Sequence, residues 1–402
     1  MFRVSPAIFA ALLATPAIAQ EVPAFDAAGD QPVCRGTAGY AEDVDGARTY
    51  LWRPRWIEAI SADPAMRDEL LKAADDALGR GPYSVTDKLR PVPGGTANDY
   101  ASIGPYWWPS KSGDGLPYTR RDGEVNPKRD GPEFDRSRIR DLANDMRALS
   151  LAWRISGDER FAAHAALLAR TWFINPETRM NPHFNFAQGI PGKIDGRAEG
   201  IIEASDLSTV VESLGLLWNS EALSATEKRV IRQWYADFAV WMATSDLGTE
   251  EMNKTNNHGI FYDFYLAHFL LFAGAEDVVR GIITKFPEYR LGVQMDRQGR
   301  FIEELRRTRS WHYSHFVVDG AARLATIGEC VGLDLWNAKL VDGRSLGTAR
   351  NFLASYAIAP SSWPFPDRDL AAGKIEGMTE RSRRVMFLFD PSSIPTHIRA
   401  LP

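Results

Sequence analysis

Cysteine is nearly absent from this chain: its 402 residues include two, Cys34 and Cys330. So few exclude a disulfide-built scaffold. Two thiols far apart, with seven histidines in no zinc-type spacing, also give no metal-binding motif. A basic surplus is lacking as well. A net charge of −5 argues against nucleic acid as a partner, and a polyanionic ligand would need a local basic cleft. Beyond the first twenty residues no apolar run is long enough to cross a bilayer, so no membrane span is expected. Strand-like alternation is scarce, the best short candidate being Gly299 to Leu305. No repeat of fixed length and no shift in composition appear, which excludes a solenoid of identical units and gives no domain boundary.

What is present begins with an export signature. Arg3 supplies a short positive end, Val4 to Thr15 is apolar, and Ala17-Ile18-Ala19 is a small-x-small cleavage site. Residues 1–19 therefore read as a signal peptide, cleaved after Ala19, and the protein is expected to be periplasmic or secreted. An oxidising compartment would let Cys34 and Cys330 pair, tying an N-terminal arm to a late helix; the sequence leaves that pairing open.

Helical periodicity dominates the remainder, residues 20–402, and 45% hydrophobic residues suffice for one large core. Ile139, Leu142, Met146, Leu149 and Trp153 mark a helix from about Arg136 to Ile155. Asp158 caps the next, Leu207 to Leu217 marks another, and Ser224 to Glu227 is a capping box opening a further one. The pattern continues through Asn256 to Gly274, Glu276 to Phe286 and Trp311 to Val331, and Asp63-Pro64 opens an early helix. Helix after helix joined by turns predicts an all-α stack of antiparallel hairpins in a single domain. Two stretches interrupt it, Tyr83 to Pro132 and Asn181 to Gly200. Both are rich in Gly, Pro and aromatics, and we read them as ordered loops over one end of the scaffold.

Two clusters carry candidate chemistry. Asn256-Asn257-His258-Gly259 opens a helix, capped by Thr255 or Asn253, with Tyr262 one turn on beside the histidine. Glu304 to Ser314 offers Arg306, Arg307, Arg309 and Tyr313, with Ser310 as a cap. Taken singly each has a structural reading: histidines pack in cores, arginine runs are solvated, and double tryptophans fill interiors.

Together with the loops, these clusters resemble the alginate lyase superfamily of polysaccharide lyases. Asp99-Tyr100-x-Ser102-x-x-Pro105-Tyr106-Trp107-Trp108-Pro109 looks like one signature of that family, and Gly115 to Pro127 continues it. Gln188-Gly189-Ile190-Pro191-Gly192 with Gly196-Arg197, Asn256 to Asp263, and Glu304 to Ser314 complete the set in consistent order. The resemblance implies an (α/α) toroid, or incomplete barrel, with long loops over the cleft and no cofactor. It places catalytic roles on Asn257, His258, Arg307 and Tyr313, with Arg306 as the other choice of arginine. It implies sugar contacts for Trp107, Trp108, Arg120, Arg121, Gln188, Arg197, Tyr262 and Arg306.

The reaction so implied is β-elimination on a β-1,4-linked uronate polymer. Asn257 and Arg307 would neutralise the carboxylate, Tyr313 would serve as base and then acid, and His258 would assist or act from the opposite face. Cationic neighbours are expected to help the Tyr313 phenol ionise. In mannuronate and glucuronate H5 and O4 lie on the same side of the ring, so one tyrosine can serve both steps. That makes mannuronate-rich alginate the expected substrate and glucuronan the alternative. An inverting hydrolase using Glu199, Asp206 or Asp263, and a non-catalytic sugar-binding protein, are the rival classes.

Overall fold

A computed structural model describes Cys34, Gly36 and residues 39–397. The expected signal peptide lies outside these residues. Helices account for most of the described chain. They are α1 Pro54–Ala62, α2 Pro64–Ala77, α3 Arg136–Ser156, α4 Glu159–Ala169, α5 Ser205–Leu216, α6 Ala225–Thr244, α7 Asp246–Met252 and α8 Asn257–Ala273. After these come α9 Glu276–Phe286, α10 Gly292–Gln294, α11 Ile302–Leu305, α12 Ser310–Cys330, α13 Leu346–Ala357, α14 Arg368–Ala371 and α15 Ile375–Leu388. Local chemistry sets the boundaries. Asp63 accepts from the backbone N–H groups of Ala65 and Met66, Asp158 from Arg160, and Ser224 and Glu227 form the anticipated reciprocal box.

An inner set, α3, α5, α8 and α12, packs side by side, and α15 packs on α12. Outer helices α4, α6, α9 and α13 return the chain between them, giving an (α/α) toroid of hairpins. The helix at its centre, α8, is buried on nearly every side from Asn257 to Ala273, so its sequence is apolar all round. The two longest irregular segments enter inner helices at their N-termini, before α3 and before α5, and the turns before α8 and α12 do the same. The loops therefore gather at one end of the toroid, where the backbone N–H groups of the inner helices are exposed to a ligand.

The strands lie within these loops. β1 Ala101–Ile103 pairs in parallel with β4 Phe186–Gly189, joining the two long segments, and β2 Trp107–Trp108 pairs antiparallel with β3 Thr119–Arg120. The expected strand at Gly299 to Leu305 is not one. Only Phe301 bridges, to Met295, and the chain then turns into α11. At the far end of α12, Cys330 is disulfide-bonded to Cys34, and Glu329 accepts from the backbone N–H groups of Tyr40 at 3.1 Å and Ala41 at 3.0 Å. The N-terminal arm is thus tied to that helix by a covalent and a polar link.

Candidate active site

Helix α8 begins differently from the sequence reading. Neither Thr255 nor Asn253 caps it: the Asn256 side chain accepts from the His258 N–H at 3.0 Å. Gly259 follows because a Cβ there would lie 2.2 Å from the Lys254 carbonyl oxygen. His258 is part-buried, and its Nδ1 meets a Glu251 carboxylate oxygen at 2.5 Å, leaving Nε2 as the ring nitrogen turned from that pair. Glu251 is 1% exposed, a buried carboxylate orienting an imidazole.

Asn257 is buried too, and its partner is Glu304. One Glu304 oxygen accepts the Asn257 backbone N–H at 2.5 Å, and the side-chain amide donates to both oxygens, at 3.0 and 2.9 Å. Burial raises the Glu304 pKa, against the two Asn257 hydrogen bonds and the charges of Arg307 and His258. Glu304 is therefore the group through which the α8 cluster and the α12 cluster feel one another.

On the other side, Arg307 lies with its guanidinium carbon 3.7 Å from the centre of the Tyr313 ring. Its Nη2 donates to Asp122 at 3.0 Å, while Thr308 donates to the other Asp122 oxygen at 2.8 Å. Gly123, at φ +75°, allows this approach, since a Cβ would stand 2.9 Å from the Thr308 hydroxyl. Arg306, by contrast, points outward with a side chain 69% exposed, paired to Glu303. Ser310 does not cap α12. Its hydroxyl donates to the Pro366 carbonyl, and Asp367 accepts the Trp311 N–H at 2.8 Å, a cap supplied from a distant segment.

The Tyr313 hydroxyl lies 2.6 Å from that of Tyr106. Burial and Tyr106 push the Tyr313 phenol up, and Arg307 pulls it down by less. Contrary to the expectation from its cationic neighbours, this phenol is neutral at rest, because removal from water outweighs one guanidinium.

The loop residues divide. Trp107 and Trp108 are half-buried in β2; the Lys193 ammonium sits 4.8 Å from the Trp107 ring centre and the Arg121 guanidinium 5.0 Å from that of Trp108. Arg120 is exposed and reaches Asp122 at 2.7 Å. Arg197 is held between the Gln188 side chain at 2.6 Å and Glu199 at 3.3 Å, and its pKa is lowered by burial and by Arg120 against the pull of Glu199, Glu203 and Glu251. Glu199 in turn accepts from the Lys254 ammonium at 3.1 Å, in the turn before α8.

Two expected sugar contacts are not open to a sugar. Gln188 is 4% exposed, with its amide spent on Glu203 and Arg197. Tyr262 is 2% exposed, with its hydroxyl donating to the Met242 carbonyl at 2.9 Å. The carboxyls a hydrolase would need are engaged elsewhere: Asp206 with Arg136, Asp263 with Arg290, and Glu199 with Arg197 and Lys254. Among the described residues no group of three His, Cys, Asp or Glu side chains is placed to hold a metal ion, and no helix is long and apolar enough to cross a membrane. Sequence reasoning passed over Tyr106, Asp122, Glu251 and Glu304. Tyr106, Asp122 and Glu304 stood inside quoted motifs, whereas Glu251 gave no signal apart from its eventual partner.

This helical toroid with aromatic loops over one end is the fold of a polysaccharide lyase, as the likeness to known proteins shows. The family model for alginate lyase matches residues 84–363, and the chain belongs to that family. A solved alginate lyase from Bacteroides ovatus is 33% identical, with a TM-score of 0.80 over 86% of this chain and 93% of that one. Alginate lyase A1-III from Sphingomonas species A1 is 17% identical, with a TM-score of 0.53 over 91% of this chain and 95% of that one. A histidine-to-alanine variant of A1-III complexed with tetrasaccharide aligns at 17% identity and a TM-score of 0.54, over 82% and 80% of the two chains; these two show the shared fold. No curated protein matches.

Proposed function

We propose that this lyase cleaves mannuronate-rich alginate by β-elimination, with Tyr313 moving the proton. The observation that carries this reading is the Arg307 guanidinium lying on the Tyr313 ring beside a second phenol, Tyr106. The Arg307 side chain is 19% exposed and meets Asp122 through Nη2, so its guanidinium keeps N–H donors for a uronate carboxylate. His258, with Nδ1 held by Glu251, would act through Nε2. Asn257, buried with its amide on both Glu304 oxygens, would contribute by fixing that carboxylate at the start of α8.

With the carboxylate so held, the negative charge growing on it after loss of the C5 proton is stabilised by preorganised donors, at about 3 kcal/mol each. Tyr313, neutral at rest, first loses its phenol proton to solvent, a loss that the Arg307 guanidinium favours, and as phenolate then takes the C5 proton. The electron pair left at C5 forms the C4–C5 double bond, the C4–O4 bond breaks, and the same proton passes to O4. Trp107, Trp108, Arg120, Arg121 and Arg197 would receive the neighbouring sugars, and Gln188 would act by holding Arg197. Glucuronan differs from polymannuronate only at C2, away from the reacting atoms, and is the alternative substrate.

Export is part of the same reading. The N-terminal sequence supports it, and so does the Cys34–Cys330 disulfide, which suits an oxidising compartment. The test is a panel of polymannuronate, polyguluronate and glucuronan followed by near-ultraviolet absorbance. Absorbance rising fastest on polymannuronate is expected. New reducing ends without absorbance would reject elimination, and a preference for glucuronan would reject the substrate.

A further inference from the structure

Away from the Tyr313 end of α12, the inner helices α3, α5, α8 and α12, with α15, line a second cavity of about 150 Å³ that opens to solvent at Arg384. Asp319 on its wall lies six residues beyond Tyr313 on α12, a helical rise of about 9 Å. Aromatic rings separate it from the cleft: Phe261 stacks on Phe316 at 4.1 Å, and Phe316 on His312 at 5.8 Å. Nothing in the proposed elimination uses this space.

Its lining is basic. Arg147, Arg323 and Arg384 face it from three helices, with Asp319 the carboxylate among them, and Ser205, Ser208 and Thr209 add hydroxyls at the start of α5. Asp319 is taken by Arg323, whose Nε donates to it at 2.6 Å. Arg147 has only a long contact, 3.4 Å to Asn144. Arg384 has no hydrogen-bond or ion-pair partner among the described residues, nor does the adjacent Arg381. The neighbouring Asp206 is paired with Arg136.

Counter-charge is short here: Asp319, bonded to Arg323, and Asp206, paired with Arg136, oppose the arginines' repulsion without pairing Arg147 or Arg384. Burial and the charges of Arg384 and Arg323 lower the Arg147 pKa, and burial with Arg384 lowers that of Arg381. In a chain whose net charge is −5 such an arrangement is local and specific. We propose that this axial cavity is a binding site for a small oxyanion, a phosphate or a sugar carboxylate, held by Arg147 and Arg384 with the α5 hydroxyls and distinct from the cleft at Tyr313. Guanidinium forks and hydroxyl donors suit the several oxygens of such a group. The proposal does not depend on which uronate the cleft accepts.

Thermal unfolding of the full chain tests it, in sodium phosphate, sodium D-glucuronate and sodium chloride at equal ionic strength. The melting temperature is expected to rise saturably, by about 2 °C or more over chloride, in at least one oxyanion arm. The arm that responds identifies the source. The rise should vanish in Arg384→Gln, an exposed side chain with no protein partner to lose, and in Arg147→Gln, and should persist in Arg307→Gln. No rise in either arm overturns the proposal. So does a rise that survives both cavity substitutions, or one lost only in Arg307→Gln, which would place the anion in the cleft.

Discussion

Tyr106 and Tyr313, 207 positions apart in the chain, share a hydroxyl–hydroxyl hydrogen bond of 2.6 Å. One sits on the loop before β2 and the other in the first turn of α12, so the phenol proposed to move the proton is held by the loop that covers it. Tyr313→Phe should lower kcat by about a thousandfold with little change in substrate affinity, checked by steady-state absorbance and by calorimetric binding to the inactive variant. Because Tyr106 raises the Tyr313 pKa, Tyr106→Phe should move the alkaline-activated limb of kcat/KM to lower pH. An unmoved limb would reject Tyr313 as the titrating base.

The two adjacent arginines should behave oppositely. Arg307→Gln removes a guanidinium from the Tyr313 ring and should reduce kcat/KM by about 10²–10³-fold. Arg306→Gln touches an exposed surface pair and should stay within about twofold. Equal losses would place the carboxylate elsewhere than the structure suggests.

Glu251 orients the imidazole of His258 through Nδ1. Glu251→Gln keeps the shape but removes the charge that favours an Nδ1–H tautomer, and should lower kcat by about 10–100-fold while KM changes little. Nitrogen-resolved NMR of the histidine ring would read the tautomer directly. Loss of activity without a tautomer change would point to a packing role.

Buried His315 predicts a pH-dependent stability. Burial chiefly lowers its pKa from 6.5 to about 4 in the folded chain, where Nδ1 donates to the Trp311 carbonyl. The unfolded chain takes up the proton first as pH falls. The stabilising contribution is therefore present above pH 6.5 and declines toward about pH 4, by up to about 1.4 kcal/mol per unit. Urea unfolding of the protein and of His315→Gln, at about pH 7.5 and about pH 5, should show the difference between them shrinking at the lower pH.

Which of these features could be read from sequence follows from the range of the interactions. Helices and their caps at Asp63, Asp158 and Ser224 were legible because periodicity and capping act within a few residues. The cap of α12 was not, because Asp367 reaches Trp311 across 56 positions. Gly299 to Leu305 mimicked a strand by alternation and became a bridge at Phe301 and a turn of helix. The cluster at Asn257, His258, Arg307 and Tyr313 was legible as motifs. Gln188 and Tyr262 were read as sugar contacts because a motif marks importance without saying whether a side chain faces outward or into the protein. Glu251 and Glu304 acquire meaning only from what they touch.

The parallel pairing of Ala101 with Phe186 and of Ile103 with Gly189 fastens one loop to the other before any polymer arrives. A chain of sugars entering here would meet a mould already set, with little disorder left to surrender on contact. The same clasp unites segments belonging to different hairpins, so the groove can take shape only after α3 and α4 have folded back between them.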